Sequence, residues 1–202
     1  GPDDHSRWSR PFDTERLGMV MGEGAAILVL EPLDRAKARG AHIYAELAGY
    51  GTTNDSFHQI APHPQGSGAI AAMKQALRSA GITTEDIDYI NAHATSTKAG
   101  DKAEMKALGE LFGDRLQDIP VSSIKGSIGH SLGAAGAIES LACVKAVETN
   151  WLPPNLHCDH PEPNAPARLV HKACQHETRY ALSNSFGFGG QNGVVVWKAY
   201  EE

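Results

Sequence analysis

The chain has little cysteine, and what it has follows no regular spacing. Its three cysteines, Cys143, Cys158 and Cys174, are an odd number, and none belongs to a CxxC pair or to a His/Cys group with zinc spacing. This pattern argues against a disulfide scaffold and is typical of a reducing compartment. We therefore expect no metal site, and we expect all three cysteines to be structural.

Long apolar runs and basic clusters are also missing. The longest apolar stretch, 25–30, is far too short to span a bilayer, and no signal-peptide pattern opens the chain. The formal net charge is −6, with no cluster of five or more basic residues. We therefore expect no membrane and no nucleic acid as partner, and a cytoplasmic location, with a mitochondrion or plastid as the alternative.

What remains is the composition of an ordinary globular protein. Of the 202 residues, 41% are hydrophobic and 21% are charged, which excludes a disordered chain. We predict an N-terminal loop or tag remnant over 1–8, with Gly1-Pro2 as the possible scar of tag cleavage, and one domain over 9–202.

Predicted strands alternate with predicted helices, which indicates an α/β fold. Apolar periodicity predicts helices over 34–39, 69–80, 101–112 and 132–148, and strands over 19–30, 42–49, 89–92, 119–122, 179–185 and 194–198. The segments 9–13 and 58–68 are predicted loops. The first half of the helix 132–148 is nearly all Gly and Ala, which favours a helix packed closely between two sheet layers.

Two histidines follow predicted strands. His93 lies in Asn91-Ala92-His93-Ala94-Thr95-Ser96-Thr97, and His130 lies between Gly129 and a Gly/Ala-rich helix. A lone histidine in such a place is more often a satisfied core residue. A histidine at a helix N-terminus is disfavoured as a cation, so His130 should stay neutral and donate a hydrogen bond. Two such residues in one chain favour the stabilisation of a carbonyl oxygen that gains negative charge.

A lysine and a glycine-rich loop complete the candidate residues. Lys125 has no other charge near it in sequence, which indicates partial burial and a carboxylate partner, for which Glu139 on the following helix is the natural candidate. The loop 186–190 lacks the lysine and the helix start of a phosphate-binding P-loop. It is either a tight hairpin or a loop with a mobile Phe188 and an exposed backbone N–H.

Taken in order, these motifs resemble the C-terminal half of the elongating β-ketoacyl-acyl-carrier-protein synthases (the KAS I/II type). The resemblance runs from Ser9-Arg10-Pro11-Phe12-Asp13 to the end of the chain. Its further markers are Val20-Met21-Gly22-Glu23-Gly24, Asn91 to Thr97, Lys125 to His130 with Gly133 to Glu139, and Asn184 to Gly190. It implies a thiolase-like fold in which each half contributes a mixed sheet, with Gly/Ala-rich helices packed between the layers.

The resemblance also implies roles for individual residues. His93 and His130 match the two histidines of a Cys-His-His triad, Lys125 matches the family's lysine, and Glu139 matches its buried partner. The implied substrate-binding residues are Thr95, Thr97, Phe188 and His58. A pair of histidines, in place of a His–Asn pair, points to elongation and away from the initiating type of synthase.

The implied reaction is a decarboxylative Claisen condensation in fatty acid or polyketide synthesis, by which malonyl-acyl-carrier-protein extends an acyl-enzyme thioester. The implied partners are acyl carrier protein, malonyl and acyl thioesters, the N-terminal half of the same enzyme and, when complete, a second copy. The enzyme would bind no cofactor, because the phosphopantetheine belongs to the carrier protein.

The chain departs from the family pattern at its nucleophile, because no cysteine here has the expected strand-to-helix setting. We therefore expect a piece of an acyltransferase that is inactive alone. The alternatives are a non-catalytic partner of the chain-length-factor kind and an inactive folding or binding fragment. Smaller departures are Ala94 for a glycine, Leu17 for an aspartate, and Ile60 for a threonine on the pantetheine channel.

Overall fold

The computed structural model describes residues 3–201, except for the side chain of Ser6. Gly1 and Pro2, the predicted tag scar, lie outside the described residues. Residues 3–8 hold one 3₁₀ turn, His5–Arg7, and Arg7 forms an ion pair with Asp159. The N-terminal segment is thus in contact with a distant part of the chain.

Helices and strands alternate along most of the chain. The helices are α1 Leu33–Ala38, α2 Ser67–Ala80, α3 Lys98–Phe112, α4 Lys125–Ile128 and α5 Ala135–Thr149. The strands are β1 Glu46–Asn54, β2 Tyr89–Asn91, β3 Val121–Ser122, β4 Trp151–Leu152, β5 Cys174–Gln175, β6 Tyr180–Phe186 and β7 Gln191–Lys198. The predicted α/β class is confirmed, and α2 and α3 lie where their apolar periodicity predicts them.

The central element is a mixed five-stranded sheet with the order β1-β7-β6-β2-β3. Strand β2 runs parallel to β3 and β6, whereas β7 runs antiparallel to β1 and β6. The carboxyl end of β2 therefore lies beside the carboxyl ends of its two parallel neighbours. The residues that follow these strands meet at one edge of the sheet. Strands β4 and β5 form a separate antiparallel pair.

Each face of the sheet packs against different helices. On β6, Leu182 belongs to the core cluster of α2 and α3, whereas its neighbour Ala181 belongs to the cluster of α5. Successive side chains of a strand point to opposite faces, so α5 lies on the face opposite to α2 and α3. The second sheet that a layered thiolase-like arrangement implies is not among residues 3–201. Leu141 on α5 is accordingly still 43% exposed.

Helix α2 approaches β1 closely because β1 carries glycine on that side. A Cβ added at Gly51 would overlap the carbonyl oxygen of Ala72, and one added at Gly49 would lie 2.5 Å from that of Ala76. The prediction for this strand was shifted, since 42–49 was expected and β1 runs over Glu46–Asn54. The glycines and threonines of its second half weaken the apolar pattern on which the prediction depended.

The prediction of a buried strand over 19–30 is wrong. Beyond Met21 this segment forms no strand, and Ile27 is 90% exposed and Val29 84% exposed. Its alternating apolar residues are typical of a strand, but no strand in the described part of the chain pairs with them. Among residues 3–201, no helix is both long and apolar enough to cross a membrane.

The start of this segment is hydrogen-bonded to the backbone of His130, the second histidine. The His130 N–H donates to the Val20 carbonyl at 2.7 Å, and the Gly22 N–H donates to the His130 carbonyl at 3.0 Å. These two bonds form a short parallel bridge between Met21 and His130. A Cβ at Gly22 would overlap the Ile128 carbonyl oxygen, so glycine is needed for this close approach.

Candidate active site

His93 stands in a loop whose backbone is held by a buried carboxylate. Strand β2 ends at Asn91, and the N–H groups of His93 and Ala94 donate to the two oxygens of Glu104 at 2.9 and 2.7 Å. The side-chain amide of Asn184 also donates to Glu104, at 2.9 Å. Burial raises the pKa of Glu104, and these donors, like the charge of Lys125, oppose that rise.

The two predicted histidines contact each other. The ring centroids of His93 and His130 lie 5.3 Å apart, with their planes at 86°. Phe186, at the end of β6, lies 5.6 Å from the His93 ring. The Nδ1 atoms of both histidines are buried without a hydrogen-bond partner among the described residues. The sheet edge therefore brings two imidazoles together beside one aromatic ring.

Both histidines are neutral near pH 7. Burial, Lys125 and then His130 lower the pKa of His93 well below its ordinary value. Burial, followed by the charge of Lys125, lowers the pKa of His130 to about 4. The predicted neutrality of His130 is thus supported, but the cause is different. Helix α5 begins only at Ala135, after a 3₁₀ turn, so burial and a nearby cation act in place of a helix end.

Lys125 and Glu139 form the predicted ion pair. Lys125 is the first residue of α4, after β3, and its Nζ donates to the Glu139 carboxylate. Both residues are about 1% exposed. Burial raises the pKa of Glu139, while the ammonium of Lys125 opposes that rise by favouring the carboxylate. The ion pair places a fixed cation next to the two histidines without leaving it unpaired.

Thr95 and Thr97 lie in the loop that leads from His93 into α3. Their hydroxyl oxygens are 3.0 Å apart, and the Thr97 hydroxyl also accepts from the Gly100 N–H as the cap of α3. The guanidinium of the fully buried Arg16 donates to the backbone carbonyl oxygen of Thr97 at 3.3 Å, and it pairs with Asp101. The threonine pair is therefore held in place by the segment that precedes 19–30.

Phe188 and His58 lie on two neighbouring loops. Phe188 is 58% exposed and lies on the 3₁₀ turn Phe188–Gly190. This turn joins the antiparallel strands β6 and β7, so the loop is a hairpin, one of the two predicted alternatives. The Gly189 N–H donates to the Gln59 carbonyl oxygen at 2.7 Å, so the two loops are in contact. The ring of His58 accepts from the Ile60 and Ala61 N–H groups through Nδ1, and it is exposed.

Neither of the two buried cysteines is an activated nucleophile in this chain. Burial raises the pKa of Cys143, on α5, and raises that of Cys158 to about 12. Both are therefore thiols near neutral pH. Cys174 is exposed in β5, in a two-stranded sheet apart from the one that carries the histidines. Within residues 3–201, no group of three or more metal-ligating side chains is placed to hold a metal ion.

Sequence reasoning missed two residues of this site. Glu104 lies on α3, and the apolar face that predicts this helix gives no role to its carboxylate. In the sequence, Phe186 is only the start of the glycine-rich loop 186–190, in which Phe188 is the predicted aromatic residue of the site. The available signal for Glu104 was a carboxylate at a position of α3 that turns toward the core beside Met105 and Leu108.

The architecture and the site together define a class of protein. A mixed sheet with α5 on one face and a pair of neutral histidines at its edge is that of a thiolase-like protein. Comparisons with known proteins support this class. Residues 44–159 match the family described as Beta-ketoacyl synthase, C-terminal domain. The chain belongs to the β-ketoacyl synthase family, and the predicted resemblance is confirmed.

Individual relatives give the same result. The chain is 50% identical over 199 residues to 3-oxoacyl-[acyl-carrier-protein] synthase 2 of Rhizobium meliloti, covering 98% of this chain and 47% of that protein. It is 48% identical over 200 residues to the chloroplastic 3-oxoacyl-[acyl-carrier-protein] synthase II of Arabidopsis thaliana, covering 98% of this chain and 37% of that protein.

One solved structure shares nearly the whole fold of the chain. It is a type II PKS acyl-carrier protein in complex with its ketosynthase bound to the hexaketide. The TM-score is 0.96 at 35% identity, and the match covers 100% of this chain and 50% of that chain. The chain therefore spans about half the length, or less, of the relatives that it matches.

Proposed function

We propose that this chain provides the histidine half of a condensing site that joins a malonyl unit to an acyl thioester. The observation that carries the proposal is the edge-to-face pair of His93 and His130, both neutral, beside the Lys125–Glu139 pair. Neutral imidazoles can each donate one N–H to an oxygen that gains charge.

The chemistry begins with the loss of CO2 from a malonyl thioester. The bond between the α-carbon and the carboxylate breaks, and its electron pair forms an enolate whose oxygen carries the negative charge. Hydrogen bonds from His93 and His130 stabilise that oxygen, and the cation of Lys125 favours the negative charge. The enolate carbon then attacks the carbonyl of an acyl thioester, and the thiolate leaves.

The nucleophile that holds the acyl group comes from outside the residues described. Cys143 and Cys158 are buried thiols of raised pKa, and Cys174 lies on a different sheet. We infer that a second polypeptide portion supplies the thiolate and covers the exposed face of α5. Alone, the chain lacks the acyl-transfer half of the reaction.

Acyl carrier protein is the proposed partner, with malonyl and acyl thioesters as its cargo. Support comes from the two curated relatives, which are named as acyl-carrier-protein synthases, and from the solved ketosynthase, which is in complex with an acyl-carrier protein. In this proposal Thr95, Thr97 and Phe188 contact the pantetheine arm. His58 is proposed to contact the arm as well, because its loop lies against the loop of Phe188. The two-copy assembly also remains a proposal.

The compartment is proposed from the named relatives. One relative is chloroplastic by name and another is bacterial, which supports the predicted alternatives of cytoplasm and organelle. A role as a chain-length-factor-like partner is the second candidate, because solved relatives include ketosynthases paired with such factors. The presence of both histidines and of Lys125 favours the catalytic role.

The test is CO2 release from malonyl-acyl-carrier-protein. The chain is co-expressed with the portion of the Rhizobium relative that it does not cover, and the isolated complex is assayed. We expect release by the complex, and we expect His93→Ala and His130→Ala each to lower the rate roughly 100- to 1000-fold, the usual effect of removing one oxyanion donor. His93→Ala should leave acyl transfer partly intact.

The control is His171→Ala, which removes an exposed imidazole elsewhere in the chain. It should release CO2 at the wild-type rate. A complex that forms but releases no CO2 would favour the non-catalytic partner role. Equal loss of acyl transfer and decarboxylation in His93→Ala would contradict the role assigned to that residue.

A further inference from the structure

A cavity lies far from the two histidines, at the other end of α5. Its volume is about 500 Å³, in the range of sites that hold small ligands. The end of α1 and the residues after it form one side, and the end of α5 and Tyr200 form the other. Ala135 and Glu148 are separated by about 20 Å along α5, at 1.5 Å per residue. This cavity is therefore separate from the condensing site.

Aromatic side chains form the walls of this cavity. Tyr44 and Tyr200 both line it, and the His42 ring contacts Tyr44 edge to face, with ring centroids 4.5 Å apart. The buried Val147 provides an apolar floor. Walls of this kind favour a flat ring, because offset or edge-to-face contacts stabilise aromatic pairs.

One cation in the cavity is available to an anion. The two oxygens of Glu148 are already engaged, one by the Lys145 ammonium at 2.5 Å and the other by His42 Nε2 at 3.1 Å. Lys37 differs from Lys145, because it has no carboxylate within ion-pair distance in the part of the chain that the structure describes. Its ammonium lies 5.5 Å from the centroid of the Tyr200 ring. A cation thus stands at the aromatic wall, available to an acidic group.

We propose that this cavity binds a flat aromatic anion. The ring lies against Tyr44 and Tyr200, and the acidic group accepts hydrogen bonds from the Lys37 ammonium. A phosphate on a nucleoside and a carboxylate on an aromatic ring share this chemistry. The site does not depend on the condensing function and requires no residue outside this chain.

The test is calorimetric titration of the full chain with adenosine monophosphate and, separately, with benzoate. Adenosine and inorganic phosphate are the controls for the ring and the anion. We expect saturable binding of at least one of the two aromatic anions, with adenosine and phosphate much weaker. Binding of adenosine monophosphate alone identifies a phosphate as the acidic group, and binding of benzoate alone identifies a carboxylate.

Substitutions link the binding to the cavity. Lys37→Gln should weaken it roughly tenfold, because hydrogen bonds to charged groups are the stronger ones, and Tyr200→Ala should weaken it as well. Lys74→Gln makes the same charge change on the exposed side of α2 and should leave the affinity unchanged. No saturable binding of either anion, equal affinities in the two glutamine variants, or adenosine binding as tightly as its monophosphate would each overturn the proposal.

Discussion

At the scale of single residues, one buried cation adds to the effect of burial on the protonation of the two histidines. Lys125 contributes to the lowered pKa of both His93 and His130, second only to burial in each case. Its own charge is matched by Glu139, so the field at the histidines does not require an unpaired buried ion. Burial and this pair together therefore keep the two imidazoles in the neutral form, which can donate one N–H each.

We expect His130 to titrate with a pKa of about 4 in the folded chain, against 6.5 for an ordinary histidine. The unfolded chain then binds a proton that the folded chain excludes between these two values. The contribution of His130 to stability is therefore lost as the pH falls from about 6.5 toward 4. NMR titration of the ring protons measures the pKa, and urea unfolding of wild type against His130→Gln measures the contribution.

The comparison with His130→Gln is needed because another group acts with the opposite sign. Burial raises the pKa of Asp101 to about 7, so the folded chain binds that proton more readily than the unfolded chain. A His130 signal that titrates near pH 6.5 in the folded protein would contradict the prediction. Replacing Lys125 and Glu139 together by Met and Leu should raise the pKa of His130, but burial should keep it below 6.5.

Single residues also differ in how far the sequence could predict them. Lys125 and Glu139 could be paired in advance, because a lone charge in an apolar setting needs a partner. Glu104 could not be assigned, because it contacts Asn184, which is 80 residues away in sequence. Phe186 and Phe188 lie two residues apart, and the path of the hairpin decides which of the two rings lies beside His93. Composition does not determine that path.

At the scale of elements, the contact between α2 and β1 depends on the absence of side chains. Gly49 and Gly51 let the helix backbone approach the strand at Ala76 and Ala72. Dense packing of this kind leaves no room for an added methyl group. The helix itself was predictable from its apolar period, whereas the depth of its contact was not.

Gly51→Ala should lower the free energy of unfolding by about 1–3 kcal/mol, because the new Cβ overlaps the Ala72 carbonyl oxygen. Gly109→Ala is the matched control, because a Cβ at this exposed position of α3 meets nothing within 4 Å. It should raise the free energy of unfolding by about 0.5–1 kcal/mol, the usual gain over glycine inside a helix. Urea denaturation distinguishes them, and equal effects would contradict the close approach.

The segment 19–30 shows why an element can be predicted wrongly. Its residues have the composition of a strand, but a strand requires a hydrogen-bonding neighbour. In this chain the sheet order ends at β1 and β3, and neither pairs with the segment. The local apolar pattern of 19–30 is therefore typical of a strand. What the segment lacks is a neighbouring strand with which to pair.

At the scale of the whole molecule, the exposed apolar residues concentrate at this segment. Ile27, Val29 and Leu30 are all more than half exposed. Contiguous apolar surface of this kind marks a site of association with another polypeptide. The chain covers less than half of each of the two curated relatives described above, so we expect a polypeptide partner at this surface.

We expect the isolated chain to self-associate through this surface, in proportion to its concentration. Replacing Ile27 and Val29 together by lysine should reduce the association without lowering the melting temperature, because neither side chain is buried. Sedimentation velocity at several concentrations measures the association. Tyr50→Lys, at an exposed position of β1, is the control and should not change it. A wild-type chain that stays monomeric at all concentrations would contradict the prediction.

The bridge between Met21 and His130 connects this exposed surface to the second histidine. The residues Val20 and Gly22, which hydrogen-bond to the backbone of His130, continue directly into the exposed run. We expect a partner bound to that run to restrict the His130 backbone as well, because only a few residues of chain separate the two. The exposed surface and the second histidine are therefore joined by a few ångströms of shared backbone.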